Sequence, residues 1–121
     1  MNIPTEEQEQ IALMAWAKLY EPDYPQLKLL FHIPNGGKRN PREAARFKKA
    51  GVRPGVPDLF LPVASKGYNG LFIELKRTMG ASVSAAQTRW ARDLQNQGYA
   101  VHICKGWIEA SETILRYLDD R

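Results

Sequence analysis

Gly51-Val52-Arg53-Pro54-Gly55-Val56-Pro57-Asp58-Leu59-Phe60-Leu61-Pro62-Val63, then Gly70-Leu71-Phe72-Ile73-Glu74-Leu75-Lys76, is the stretch whose reading decides the fold. The apolar runs 59–63 and 70–76 read as two strands, with 64–69 as a hairpin loop between them. Side chains alternate across a strand, so Phe72, Glu74 and Lys76 share one face and Leu71, Ile73 and Leu75 the other. Two charges therefore stand on one face of an otherwise apolar, internal-looking strand, where they are costly unless compensated. Asp58 lies at the entrance of the preceding strand. If the two strands pair as a hairpin, its carboxyl comes close to Glu74.

Outward from this hairpin, the punctuation is clear on both sides. Ser84 with Gln87 three residues on forms a capping box, opening a helix with Trp90, Ala91 and Leu94 at core spacing and Gly98 as its stop. A strand over 99–104 follows, with Tyr99, Val101 and Ile103 on one face, and then a helix over 108–118 carrying Ile114, Leu115 and Leu118. Upstream, Thr5 and Gln8 make a second capping box for a helix over 6–20, whose apolar positions include Ile11, Leu13, Met14 and Ala17. Pro22 and Pro25 prevent its continuation. A short strand over 29–33 runs into the turn Pro34-Asn35-Gly36-Gly37. The next helix has Asn40 as cap, Pro41 at its first position, Glu43 closing the box and Gly51 at its end. The order helix, strand, helix, strand, strand, helix, strand, helix predicts an α/β sandwich with a mixed sheet flanked by helices. At 121 residues the chain is expected to form one domain, 1–121.

The composition, 44% apolar and 25% charged, excludes a disordered or fibrous chain. No apolar run is long enough for a bilayer, and residues 1–9 are polar rather than signal-like. Met1 therefore reads as a true start, with the cytoplasm of a bacterial or phage-infected cell as the expected location. Cys104 is the sole cysteine, so neither an internal disulfide nor a cysteine-based zinc site can form. Its apolar surroundings favour a buried spectator thiol over a nucleophile. The net charge of +4 is unevenly spread: Lys38, Arg39, Arg42, Arg46, Lys48, Lys49 and Arg53 face one acid, Glu43, within 38–53. Such a basic stripe is the footprint of a polyanion binder, although a solvated helix face can look the same.

The chemistry centres on Asp58, Glu74 and Lys76. Two carboxylates, waters and a substrate oxygen are the usual set for Mg²⁺. A metal there can polarise a phosphodiester and lower the pKa of an attacking water, while Lys76 orients that water or stabilises the developing charge. Spacing alone leaves a surface Glu74–Lys76 salt bridge equally open. The wording around these residues tips the balance. Pro57-Asp58 followed by Ile73-Glu74-Leu75-Lys76 resembles the Pro-Asp…Glu-x-Lys signature of the PD-(D/E)XK nucleases. More narrowly, four ordered motifs resemble the VRR-NUC (virus-type replication-repair nuclease) family. They are Asn35-Gly36-Gly37, Gly51 through Asp58, Ile73 through Lys76, and Ser84 through Gln87.

The resemblance implies a restriction-endonuclease-like core and a DNA phosphodiesterase dependent on Mg²⁺ or Mn²⁺. Asp58 and Glu74 map to its metal ligands, the main-chain carbonyl of Leu75 to a third, and Lys76 to its lysine. Gln87 maps to a glutamine that supports the site, while its place in a capping box offers capping as its whole role. An acid on the first helix often completes such sites, and Glu6, Glu7 and Glu9 all offer themselves. Glu6 is favoured because it and Gln10 share a face with Leu13 and Ala17, which would turn them inward; attraction of acids to a helix N-terminus explains any one of them as well. His32 can touch DNA or metal, but as a lone histidine it reads better as a sheet residue.

Small free-standing members of the family resemble Holliday-junction resolvases. A domain this size has little surface for reading bases, whereas Lys38, Arg39, Arg42, Arg46, Lys49 and Arg53 suit phosphates, which fix position without sequence. Shape-selective cutting of branched DNA by a homodimer is therefore the expected activity, since symmetric cuts need two sites. A flap- or nick-directed or nonspecific nuclease, a non-catalytic DNA-binding module and a protein-interaction subunit are the competing readings.

Overall fold

The pairing of residues 59–61 with 71–73 organises everything else. A computed structural model describes residues 2–34 and 40–119. In it β2 (Leu59–Leu61) pairs antiparallel with β3 (Leu71–Lys76), with Leu59 opposite Ile73 and Leu61 opposite Leu71. Pro62 has no N–H to continue the ladder, which is why β2 stops two residues short of the apolar run. The expected strand over 29–33 is shorter still. Residues Pro25–Leu29 form a 3-10 turn, Pro34 closes the other end, and β1 (Phe31–His32) remains, pairing antiparallel with β2. On the other side β4 (Ala100–Lys105) runs parallel to β3 through all six residues, from Leu71 opposite Ala100 to Lys76 opposite Lys105. The sheet order is β1-β2-β3-β4, mixed as expected, with the parallel step made by a helical crossover.

That crossover is α3 (Ala85–Asn96), opened by the Ser84–Gln87 capping box. The first helix, α1 (Glu6–Tyr20), is opened by the Thr5–Gln8 box, and the last, α4 (Trp107–Leu118), follows β4 directly. Leu13, Ala17, Ala110 and Ile114 from α1 and α4 cover Leu71, Ile73 and Leu75, forming the core on one side of the sheet. Truncating a fully buried member such as Ile73 to Ala would cost about 2–5 kcal/mol. Cys104 is buried here and donates to Thr113 Oγ1 at 3.6 Å; burial pushes its thiol pKa up, as suits a spectator.

The opposite face carries Phe72, Glu74 and Lys76 beneath α3. Phe60 stacks on Phe72 with ring centroids 4.2 Å apart, and Tyr99 meets both edge-on at 5.8 and 5.2 Å. The basic helix α2 (Pro41–Lys49) is capped by Asn40 as expected but fully buries none of its residues. Arg42, Arg46 and Lys49 are all exposed on it. Among the described residues, no helix is long and apolar enough to cross a membrane.

Candidate active site

The turn before β2 is locked on three sides. Pro57 is fully buried, which fixes the backbone entering Asp58. Gly55 has φ +91°, and a Cβ there would lie 2.8 Å from the backbone carbon of Ala86. Only glycine lets this turn press against the first turn of α3, beside Gln87. From the other side, the Asp58 carbonyl accepts from Ile33 N at 2.7 Å and from His32 Nδ1 at 2.8 Å. A carbonyl only accepts, so His32 carries its proton on Nδ1 in this bond.

The Asp58 side chain then reaches β3. Its Oδ2 accepts from Leu75 N at 2.7 Å, just past the last β2–β3 pair, so the carboxyl stands where a strand partner would otherwise be. The Leu75 carbonyl leaves the strand on this same side, whereas the Lys76 carbonyl points to β4 and accepts from Gly106 N at 2.7 Å.

Glu74 is 3% exposed and Lys76 7%. Their separation, Lys76 Nζ to Glu74 Oε2, is 3.9 Å, and Gln87 closes the gap. Its Nε2 donates to Glu74 Oε2 at 3.1 Å, and its Oε1 accepts from Lys76 Nζ at 3.0 Å and from Ser84 N at 2.9 Å. Two donors converge on one amide atom, which must be the oxygen, and this leaves the NH₂ for the carboxylate. Gln87 is thus both a helix cap and a bridge between the acid and the lysine.

Glu74 Oε1 is buried and receives no hydrogen-bond donor. Its neighbour is the Asp58 carboxyl. Burial first, then the neighbouring Asp58 carboxyl, push the Glu74 pKa up to about 9, against the lowering pull of Lys76. The Glu6 charge adds to the upward push. An orphaned acceptor between two carboxyls calls for a proton or a cation, and the oxygen-only donor set of Asp58, Glu74 and the Leu75 carbonyl fits a hard divalent cation. Among the described residues, no cluster of three or more His, Cys, Asp and Glu offers a fuller side-chain cage, and Mg²⁺ does not require one.

The VRR-NUC domain model matches residues 4–107. The chain belongs to the VRR-NUC family. A solved structure described as a VRR_NUC domain protein is similar to it at 30% identity and a TM-score of 0.83, over 98% of this chain and 91% of that one. No curated protein matches the chain. The VRR-NUC chain is therefore a member of a nuclease family, with a mixed four-stranded sheet and flanking helices consistent with a PD-(D/E)XK-like core.

The remaining expected residues are placed unevenly. Glu6 is exposed rather than turned inward, although its charge reaches Glu74. Glu7 is also exposed, and the acid that α1 buries is Glu9, 4% exposed, with Oε1 accepting from Trp107 N at 3.0 Å. Arg53 is exposed in the loop after α2. Lys38, Arg39 and the Asn35-Gly36-Gly37 turn lie outside the described residues. Sequence reasoning did not find the Phe60–Phe72–Tyr99 aromatic group beside Glu74; the alternation of Phe60 and Phe72 with core leucines was the available signal.

Proposed function

We propose that this VRR-NUC protein is a divalent-metal-dependent DNA endonuclease that cuts branched DNA, four-way junctions foremost, as a homodimer. The observation that carries the catalytic part is the buried, donor-less Glu74 Oε1 beside Asp58, with Lys76 and Gln87 completing the cluster. Asp58, Glu74 and the Leu75 carbonyl would hold Mg²⁺ or Mn²⁺. When bound, such an ion supplies Lewis acidity to the phosphodiester and makes water a nucleophile near neutral pH.

The chain's own residues do the rest. Gln87 holds Lys76 Nζ beside Glu74, so the ammonium stays fixed in a site that is more than nine-tenths buried. From there Lys76 orients the attacking water and stabilises the charge that builds on the phosphoryl oxygens. The water oxygen forms the new bond to phosphorus and gives up one proton to solvent, and the bond to the departing ester oxygen breaks. That alkoxide then takes a proton from solvent. The Phe60–Phe72 stack lays apolar surface beside Glu74 on this face of the sheet, which strengthens each charge interaction. The exposed bases of α2, Arg42, Arg46 and Lys49, supply phosphate contacts that hold a duplex arm without reading its sequence.

The test is cleavage of a synthetic four-way junction beside matched linear duplex and flap substrates, with and without Mg²⁺ or Mn²⁺, by wild type and Glu74→Ala. Paired, metal-dependent cuts near the branch point, absent in Glu74→Ala, are the expected result. Cutting of flaps or plain duplex alone overturns the junction preference and retains the site. Tight, salt-sensitive binding with no cutting overturns the enzyme and leaves a binding module.

A further inference from the structure

A groove of about 560 Å³ opens where the start of α1, the end of β3 and the β4–α4 turn meet, lined in part by Glu9, Thr78, Lys105, Trp107 and Ile108. Its size falls in the range of sites for nucleotide-sized ligands. We infer that it is a nucleobase subsite, taking one unstacked, amino-bearing base of the strand that passes the Glu74–Lys76 cluster.

Position supports this occupant first. The floor of the groove is Gly106, whose N–H bonds the Lys76 carbonyl at 2.7 Å, so the groove adjoins the catalytic end of β3. Gly106 has φ +87°, and a Cβ there would stand 2.8 Å from Thr78 Cγ2 and 3.6 Å from both Glu9 carboxyl oxygens. Only glycine permits so close a meeting of three elements. Lys105, which also lines the groove, pairs in register with Lys76, so a cation stands where the groove meets the Lys76 end of the sheet.

Chemistry supports it next. Trp107 is half-buried, and with Pro4, Ala12 and the 60%-exposed Ile108 it gives an apolar lining suited to the face of a base. Glu9 stands among these groups as a buried acceptor, pinned through Oε1 to Trp107 N. A fixed carboxyl in an apolar groove favours bases with an exocyclic amine, which cytosine, adenine and guanine carry, whereas thymine presents a carbonyl oxygen where cytosine has its amine and keeps its one N–H in the ring. A lone phosphate would meet Glu9 as a like charge, so the base, not the phosphate, belongs in the groove.

This subsite rests on the nuclease reading above, and the experiment separates the two. Glu74→Gln protein, which should bind without cutting, is irradiated with DNA carrying 5-iododeoxycytidine at each of three positions on either side of the cleavage site. A crosslink mapping to Trp107 from one of those positions is expected. Crosslinks confined to other residues, or none at any position, overturn the subsite. In the wild type, thymine in place of cytosine at the crosslinking position should lower kcat/KM about tenfold. Ile108→Glu, a change on an exposed rim, should lower it by a similar factor with the melting temperature unchanged; kcat/KM equal to wild type overturns the subsite as well. If wild type cuts no DNA in any metal, the nuclease reading fails, and crosslinking from labels scanned on either side of the junction branch point still decides the groove.

Discussion

Glu74 and Glu9 are glutamates buried to nearly the same degree, 3% and 4% exposed, in opposite electrostatic surroundings. Glu9 points at the first turn of α4, where its Oε1 takes the Trp107 N–H that Gly106 cannot cap with a side chain. Its burial is compensated by a hydrogen bond and by the positive end of a helix. Glu74 shares its pocket with Asp58, keeps one oxygen without a donor, and has its pKa raised to about 9. Burial of a carboxyl is therefore no mark of function by itself. The mark is burial that the protein leaves uncompensated, because only an outside proton, cation or substrate can complete it.

The largest expected effect falls on catalysis. Glu74→Gln should reduce cleavage by about 10³-fold or more, comparable to removing a group that acts in the transition state. Glu74→Gln should also stabilise the metal-free protein at neutral pH, because the native site already holds a proton there while the unfolded glutamate is ionised.

A pH series sharpens the same point. The folded pKa of Glu74, about 9, lies above its ordinary 4.5, so the folded state binds a proton more tightly than the unfolded one. Stability from this group is then full below 4.5 and is lost as pH rises toward 9. Metal-free wild type should lose roughly 2 kcal/mol or more between pH 5 and pH 8 relative to Glu74→Gln in denaturant titrations. Adding Mg²⁺ at pH 8 should raise the wild-type melting temperature and release a proton. A melting temperature that rises with pH in step with Glu74→Gln would remove the coupled Asp58–Glu74 pair from the account.

Gln87 and Ser84 divide capping from chemistry. Ser84→Ala removes the hydroxyl that accepts from Gln87 N at 3.1 Å, and should cost about 1 kcal/mol of stability with cleavage near wild type. Gln87→Ala also frees Glu74 and Lys76 from their shared partner and should lower kcat roughly 10- to 100-fold. Equal losses of activity in the two variants would reduce Gln87 to a cap.

The order of elements was legible because caps, prolines and strand alternation are local signals. The Asp58–Glu74 approach was legible as well, since a hairpin brings the residue before one strand to the end of the other. What escaped was longitudinal position. On a helical wheel Glu6 lies on the Leu13 face, but a wheel fixes angle and not how far the neighbouring elements extend. The first turn of α1 lies where Glu6 is left exposed, while Glu9, one turn on, meets the start of α4. Side chains also lean toward a helix N-terminus, which lets Glu9 cover ground that the wheel assigns nearer Glu6. Gln87 looked ambiguous for a different reason: a capping box and an active-site bridge use the same amide, and sequence spacing cannot show that its oxygen accepts twice.

The smallest effect gives the cleanest contrast, because it asks for the same substitution with the opposite sign. Glu9→Gln keeps an oxygen to accept from Trp107 N but no charge at the α4 N-terminus, and should destabilise the protein by about 1 kcal/mol. Glu74→Gln, equally buried, should stabilise the metal-free protein at the same pH. The two variants should also part in their response to Mg²⁺: the melting temperature of Glu9→Gln should rise with the ion as wild type does, while that of Glu74→Gln should barely move. Glu9 Oε1 is engaged by the α4 cap and Glu74 Oε1 by no donor the fold supplies, so urea titrations of the pair in one buffer test that division directly. Shifts of the same sign would show that the Glu74 pocket is as fully compensated as the Glu9 cap.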